Sequence, residues 1–187
     1  MTFLNTPVWS ALYQAERAAM GYVPNYAEVF ALRPEVYAAW RQLSFSVRST
    51  MDPRRYELAT LAASLAVGSA YCTLAHAAVL RERFYDDAQL GAIVRDHRDA
   101  GLDPLDVAVM DFAGQVAAGP DSVTEADIEV LRGQGLSDGD VFQLVLAACL
   151  RRFFSGVLSA VDAVPDDVYA ALGPEVRSAI LDERLAS

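Results

Sequence analysis

Three side chains in this sequence have the types and spacing for acid–base or nucleophilic chemistry: Glu57, Cys72 and His76. Cys72 and His76 are four residues apart, so on a helix they lie one above the other on a single face, in reach of each other or of one bridging water. Glu57 is the only charged side chain between Arg55 and Cys72. A carboxylate on so apolar a segment needs a hydrogen-bonding partner, because burying it bare costs on the order of several kcal/mol. A thiolate at Cys72 is the nucleophile that peroxide reduction requires, His76 is a proton carrier one turn away, and Glu57 either orients that imidazole or serves as the base. Nucleophile, base and orienter are thus present in outline. A buried structural cysteine beside a satisfied core histidine accounts for the same pair without catalysis. A metal site fits less well, since Cys-x3-His with one distant carboxylate lacks the second close ligand pair of a zinc centre.

The elements that must position these groups read as helices. Gly68 ends one helix and Ser69 is placed to cap the next, which puts Cys72 in a first turn where free backbone N–H groups and the helix dipole favour an anion. Asp52-Pro53 and Asp103-Pro104 set a capping carboxylate before a first-turn proline. Asn25 with Glu28, Thr124 with Asp127, and Ser137 with Asp140 have capping-box spacing. Apolar residues between these signals recur at helical spacing, as in Leu58, Leu61 and Leu65. Helices are predicted at about Val8 to Met20, Tyr26 to Leu32, Glu35 to Arg48, Arg54 to Val67, Ala70 to Phe84, Asp87 to Arg95, Pro104 to Ala118, Glu125 to Gly133, Asp138 to Val161, Asp167 to Ala171 and Pro174 to Leu185. The fold class is all-α. Alanines at 59, 62, 63, 66, 75, 77 and 78 let the helix of Glu57 and the helix of Cys72 approach closely, and the Asp138 helix, apolar nearly all round in its first half, belongs in a core or under a neighbouring subunit.

Bulk composition narrows the function. With 187 residues, of which 53% are apolar, the chain can bury a full core as a single domain, 1–187. The net charge of −10, with basic residues never clustered beyond pairs such as Arg54-Arg55 and Arg151-Arg152, argues against nucleic acid or an anionic membrane as partner. All 15 basic residues are arginine, which excludes Schiff-base chemistry on a lysine. The apolar runs Ala59 to Val67 and Val141 to Leu150 are too short to cross a bilayer, and the first residues lack the pattern of a secretory leader, so a cytoplasmic location is expected. In a reducing compartment Cys72 and Cys149 are expected as separate thiols, Cys149 as a small core residue on the Asp138 helix. His97 lies in a charged segment and reads as a surface residue, and Trp9 and Trp40 as core or interface anchors. No Gly-rich phosphate loop, nucleophile elbow or nucleotide fingerprint is present, and no cofactor is called for.

Glu57, eleven residues, Ser69-Ala70-Tyr71-Cys72, three residues, His76: this pattern resembles the AhpD-like family, the alkylhydroperoxidase and carboxymuconolactone decarboxylase group, whose peroxidase members carry Glu-x11-Cys-x2-Cys-x3-His. Glu57 falls at the family glutamate, Cys72 at the second, peroxide-attacking cysteine, and His76 at the closing histidine. Ser69 stands where the first cysteine of the pair would be, and Tyr71 where those enzymes have a further relay histidine. Gly21-Tyr22-Val23-Pro24-Asn25 and Leu32-Arg33-Pro34 also resemble the opening of the branch called uncharacterised peroxidase-related proteins, in which Ser-x-Tyr-Cys-x3-His is common. The resemblance is strong from about Gly21 to Arg83, weaker after Ser137 and absent from roughly the last twenty residues, with the family core at about 21–110.

The resemblance implies a helical fold that forms homo-oligomers (dimer, trimer or hexamer) with active sites near subunit contacts. It also implies an alkylhydroperoxidase- or peroxiredoxin-type activity on a small hydroperoxide, with Cys72 as nucleophile, Glu57 and His76 as proton relay, and Tyr71 assisting. Serine at position 69 cannot close a disulfide on a sulfenic acid, so an external thiol, a partner or Cys149 resolves Cys72, or no peroxidase cycle runs. Two alternatives stand beside this expectation. One is cofactor-free acid–base chemistry on a small lactone or keto acid, with Arg54, Arg55 or Arg83 clamping a substrate carboxylate. The other is a non-catalytic helical oligomerisation module.

Overall fold

A computed structural model describes residues 2–182, in which every regular element is helical. The first three helices are α1 (Ala11–Met20), α2 (Asn25–Phe30) and α3 (Pro34–Arg48), followed by α4 (Pro53–Ala66), α5 (Ala70–Arg83), α6 (Asp87–Asp96) and α7 (Pro104–Ala118). After a 3₁₀ turn at Pro120–Ser122 come α8 (Glu125–Gly133) and the long α9 (Asp138–Ala160), then a second 3₁₀ turn at Asp167–Ala171 and α10 (Pro174–Asp182).

α4 sits at the centre, packed against α5, α7 and α9. Its composition explains why. Leu58, Leu61 and Ala62 join a core with Leu74, Ala77, Leu80, Leu90, Ile93 and Met110, while Ala59 and Ala63 on the other side pack with Val109, Phe112, Val116, Val141 and Leu144. A helix apolar on both faces must be surrounded, and its alanines let the neighbours come close. Asp52 caps it by accepting from the Arg55 N–H at 2.9 Å, as its Asp-Pro signal predicts. At its far end Gly68, with φ of +65°, takes the left-handed conformation that reverses the chain into α5.

Several local expectations are corrected. Thr124–Asp127 and Ser137–Asp140 form complete capping boxes, but Asn25 caps nothing. Asn25 is the first residue of α2, and its N–H donates to the Asp166 carboxylate at 2.7 Å, a cap delivered from 141 residues downstream. Asp103 occupies the N-cap position of α7 without a side-chain bond. α1 begins at Ala11 rather than Val8, because Ser10 accepts from the Leu12 N–H and ends the extended entry there. The Asp167–Ala171 stretch is a 3₁₀ turn, and the end of the last predicted helix lies outside the described residues. α9 runs for 23 residues and is long and apolar enough by composition to span a membrane, unlike the shorter run read from sequence. In the fold it is a packing helix, with Leu144, Ala148 and Leu158 buried in the two main cores.

Its outer face leaves Leu146, Cys149, Leu150 and Phe153 lining a groove of about 480 Å³ against Trp40, Leu43 and Val47 of α3. Cys149 is therefore exposed, not a core residue, because the buried face of α9 is taken by Ala147, Ala148 and Arg151. Trp9 is exposed, while Trp40 stacks on Phe154 at 4.2 Å.

Asp166 also accepts from the Tyr71 hydroxyl at 2.6 Å, and that same hydroxyl accepts from the Tyr26 N–H at 3.1 Å. Tyr71 thus pins the start of α2 and the chain before α10 to α5. Tyr71→Phe removes a buried donor from a carboxylate that is itself buried, and is expected to lower stability by about 2 kcal/mol. Urea denaturation reads this directly; an unchanged midpoint would show that the Asp166 contacts do not hold these segments together.

Candidate active site

The helix of Glu57 and the helix of Cys72 lie side by side, and their inner faces bring Glu57 and His76 into contact: Glu57 Oε2 is 2.6 Å from His76 Nδ1. Thr60, one turn beyond Glu57, places its Oγ1 3.1 Å from the same nitrogen. The hydroxyl proton of Thr60 is directed at the carbonyl of Tyr56, at 2.8 Å, so toward the ring Thr60 is an acceptor. A carboxylate accepts as well. Both partners of Nδ1 are acceptors, so the network assigns the proton to Nδ1 and leaves Nε2 as the nitrogen with a free lone pair in the neutral ring. Burial, and next the positive Arg151, hold the His76 pKa below its ordinary value; Glu57 opposes both without reversing them. At neutral pH the imidazole is a base rather than a cation.

Cys72 stands at the third position of α5, 1% exposed. Its sulfur does not face hydrocarbon alone: Arg151 of α9 donates from Nη1 to Sγ at 3.4 Å. Arg151 is only 7% exposed and also lies over the Phe154 ring, its Cζ 5.6 Å from the centroid. Burial of the guanidinium is compensated first by the neighbouring Cys72, and its pKa stays above the ordinary arginine value. The Tyr56 ring meets the His76 ring edge-on at 6.4 Å and, with Val47 and Ala147, packs between the site and the α3–α9 groove. His76 and Glu57 side chains keep 11% and 13% exposure, so the cluster meets solvent at its acid–imidazole end.

Of the residues singled out in the sequence, Glu57 and His76 are brought into contact, and Cys72 lies one turn before His76 on the same helix. Ser69 occupies the N-cap position of α5, but its hydroxyl makes no cap bond; it is 2% exposed with no partner among the described residues. Tyr71 points away, its hydroxyl spent on Asp166 and the Tyr26 N–H, and burial followed by the Asp166 charge pushes its pKa well up. Arg54 and Arg55 are not free to clamp a substrate: Arg54 Nη2 pairs with Asp106 Oδ2 at 2.6 Å, and Arg55 Nε donates to Asp106 Oδ1 at 3.1 Å. Arg83 lies over the Phe84 ring. His97 is partly buried and pairs with Asp111 at 2.8 Å. No group of three or more metal-binding side chains converges among the described residues.

Sequence reasoning missed Arg151 and Thr60. Both carried a signal. Thr60 is three residues from Glu57, hence on its face, and Arg151 ends the apolar run of α9, where the argument applied to Glu57 applies equally: a charge in such company must find a partner.

Residues 34–115 match the model of the carboxymuconolactone decarboxylase family. Over this segment, less than half of its length, the chain is similar to that family. The matched family segment contains Glu57, Thr60, Cys72 and His76 but neither Arg151 nor Asp166. Among solved structures, a peroxidase-related protein from Ralstonia eutropha JMP134 with an alkylhydroperoxidase AhpD core is 22% identical, with TM-score 0.80 over 90% of this chain and 94% of its own. A peroxidase-related protein from Silicibacter sp. TM1040 is 24% identical, with TM-score 0.82 over 91% and 94%. The debrominase Bmp8, in complex with 2,3,4-tribromopyrrole, is 14% identical, with TM-score 0.74 over 98% and 100%. At these identities the likeness establishes the AhpD-like helical fold. None of the curated proteins compared with the chain matches it.

The depressed His76 pKa has a signed consequence for stability. The unfolded chain takes up a proton on this histidine near its ordinary value of 6.5, whereas the folded chain resists until lower pH. Its contribution is complete above about 6.5 and is lost as pH falls through that value toward the folded pKa. His76→Gln is therefore expected to lose less stability than the wild type between pH 7 and pH 5 in urea titrations. A steeper loss in the variant would mean that His76 is charged in the folded protein.

Proposed function

We propose that this protein is a thiol-dependent peroxidase that reduces small hydroperoxides through Cys72. The observation that carries the reading is the Glu57–His76 contact at 2.6 Å, which leaves a neutral imidazole with a free Nε2 one helical turn from a sulfur held by a guanidinium. In this reading the Cys72 thiol gives its proton to His76 Nε2, directly or through one water. The thiolate attacks the terminal oxygen of the hydroperoxide, the S–O bond forms as the O–O bond breaks, and the departing alkoxide takes the proton back from the imidazolium. The sulfur is oxidised by two electrons to the sulfenic acid, and the peroxide becomes an alcohol. With serine at 69 and Cys149 out in the α3–α9 groove, two equivalents of an external thiol restore Cys72, releasing water and a disulfide. Tyr71 has no part in the relay and serves to hold α5 in place.

One observation favours a second reading. The acid–imidazole end is more open than the sulfur, so the pair alone is suited to proton exchange on a small lactone or keto acid. Cys72→Ser separates the two: it abolishes peroxide reduction and leaves acid–base turnover intact.

The nearly sealed sulfur also sets a size preference. Hydrogen peroxide is expected to convert Cys72 to a sulfenic acid, trapped by a dione reagent and located by mass spectrometry, at least about tenfold faster than an aryl hydroperoxide, the order of discrimination that steric exclusion of a few groups supplies. Equal labelling with and without peroxide would remove the peroxidase reading.

We also infer that the chain self-associates through the α3–α9 groove, supported by the exposure of Leu43, Leu146 and Phe153 along it. Phe153→Glu should then shift the sedimentation coefficient to that of a monomer; a wild type that already sediments as a monomer contradicts this.

A further inference from the structure

Arg151 has more hydrogen-bonding capacity than the sulfur uses. Nη1 donates to Cys72 Sγ, but Nε is buried and has no partner among the described residues. A guanidinium N–H left unpaired in the interior costs roughly 1–3 kcal/mol, so its persistence calls for a ligand. Two further buried hydroxyls nearby in the helix registers are equally unpaired. Ser69, three residues before Cys72 on α5, is 2% exposed, and Ser155, four residues after Arg151 on the same face of α9, is 0% exposed. α5 and α9 are in contact, so these donors flank the Cys72–Arg151 contact along both helices.

We propose that the Arg151 Nε–H, with the Ser69 hydroxyl, forms a subsite for the oxygens of the hydroperoxide at the Cys72 sulfur. The inference rests on the thiol-peroxidase reading and adds to it where the charge goes. As the thiolate attacks the terminal oxygen and the O–O bond breaks, negative charge passes from sulfur to the departing oxygen. Nη1 faces the first of these, and Nε–H takes the second. One planar fork can serve both ends of that transfer, which a lysine ammonium in the same place cannot do with fixed geometry. The position of Ser69 acquires a role as well: where a second thiol would resolve the sulfenic acid, a hydroxyl donates to the oxygen instead.

The test compares two electrophiles on the full-length protein. Rates of Cys72 modification by hydrogen peroxide and by iodoacetamide are measured across pH for the wild type, Arg151→Lys and Ser69→Ala. A subsite for oxygen predicts that Arg151→Lys slows the peroxide reaction by about 100-fold, the scale of losing one preorganised donor, while alkylation changes by less than about threefold. Ser69→Ala removes only an unpaired hydroxyl and so leaves folding intact; it is expected to slow peroxide several-fold with alkylation unchanged. This second variant decides the matter if Arg151→Lys does not fold. Parallel losses toward both electrophiles in Arg151→Lys, or a Ser69→Ala variant identical to wild type, would overturn the subsite and leave the peroxidase reading standing. A wild-type Cys72 that alkylates but ignores peroxide would overturn both.

Discussion

A single short contact between Glu57 and His76, shielded on all but one side, organises this molecule. A carboxylate in the second turn of a helix packed into apolar cores on both sides is tolerable only if a neighbouring element hands it a donor. That donor is the imidazole Nδ1–H from α5, at 2.6 Å, and meeting it fixes how α4 and α5 pack and turn relative to each other. The alanines at the contact, the left-handed Gly68 between the helices and the Asp52 cap all serve the same geometry. Thr60 completes it by accepting from the ring while its own proton goes to a carbonyl.

The cluster is completed by α9. Arg151 adds a buried positive charge to the cluster, beside an imidazole that burial and that same charge keep neutral at pH 7. The guanidinium also faces the sulfur, which places the positive charge where a thiolate would need it. Structural and chemical requirements coincide here: removing the arginine would take away both the sulfur's donor and the buried side chain that covers the Phe154 ring.

What the sequence disclosed followed from local rules. The helices, the complete capping boxes at Thr124–Asp127 and Ser137–Asp140, and the Gly68–Ser69 break are written in neighbouring residues, and so is the spacing of Glu57, Cys72 and His76. The features that escaped it depend on residues far apart in the chain. Asp166 replaces Asn25 as the cap of α2 and takes the Tyr71 hydroxyl across 95 residues, and Arg151 reaches Cys72 across 79. Helical periodicity likewise shows that α9 is apolar on several sides but not which side faces inward, so it does not distinguish the exposed Cys149 from Ala147, Ala148 and Arg151, which face the core. Arg151 lies outside the motif that carries the AhpD-like resemblance and beyond the matched residues 34–115.

The chemistry of the site depends on the proton that Glu57 and Thr60 hold on His76 Nδ1. With only two histidines in the chain, the ring nitrogens of His76 can be resolved by ¹⁵N NMR at pH 7 and assigned against a His97→Gln variant. The expected result is a neutral ring with the proton on Nδ1 and a bare Nε2. A proton on Nε2, or a doubly protonated imidazolium, would contradict it.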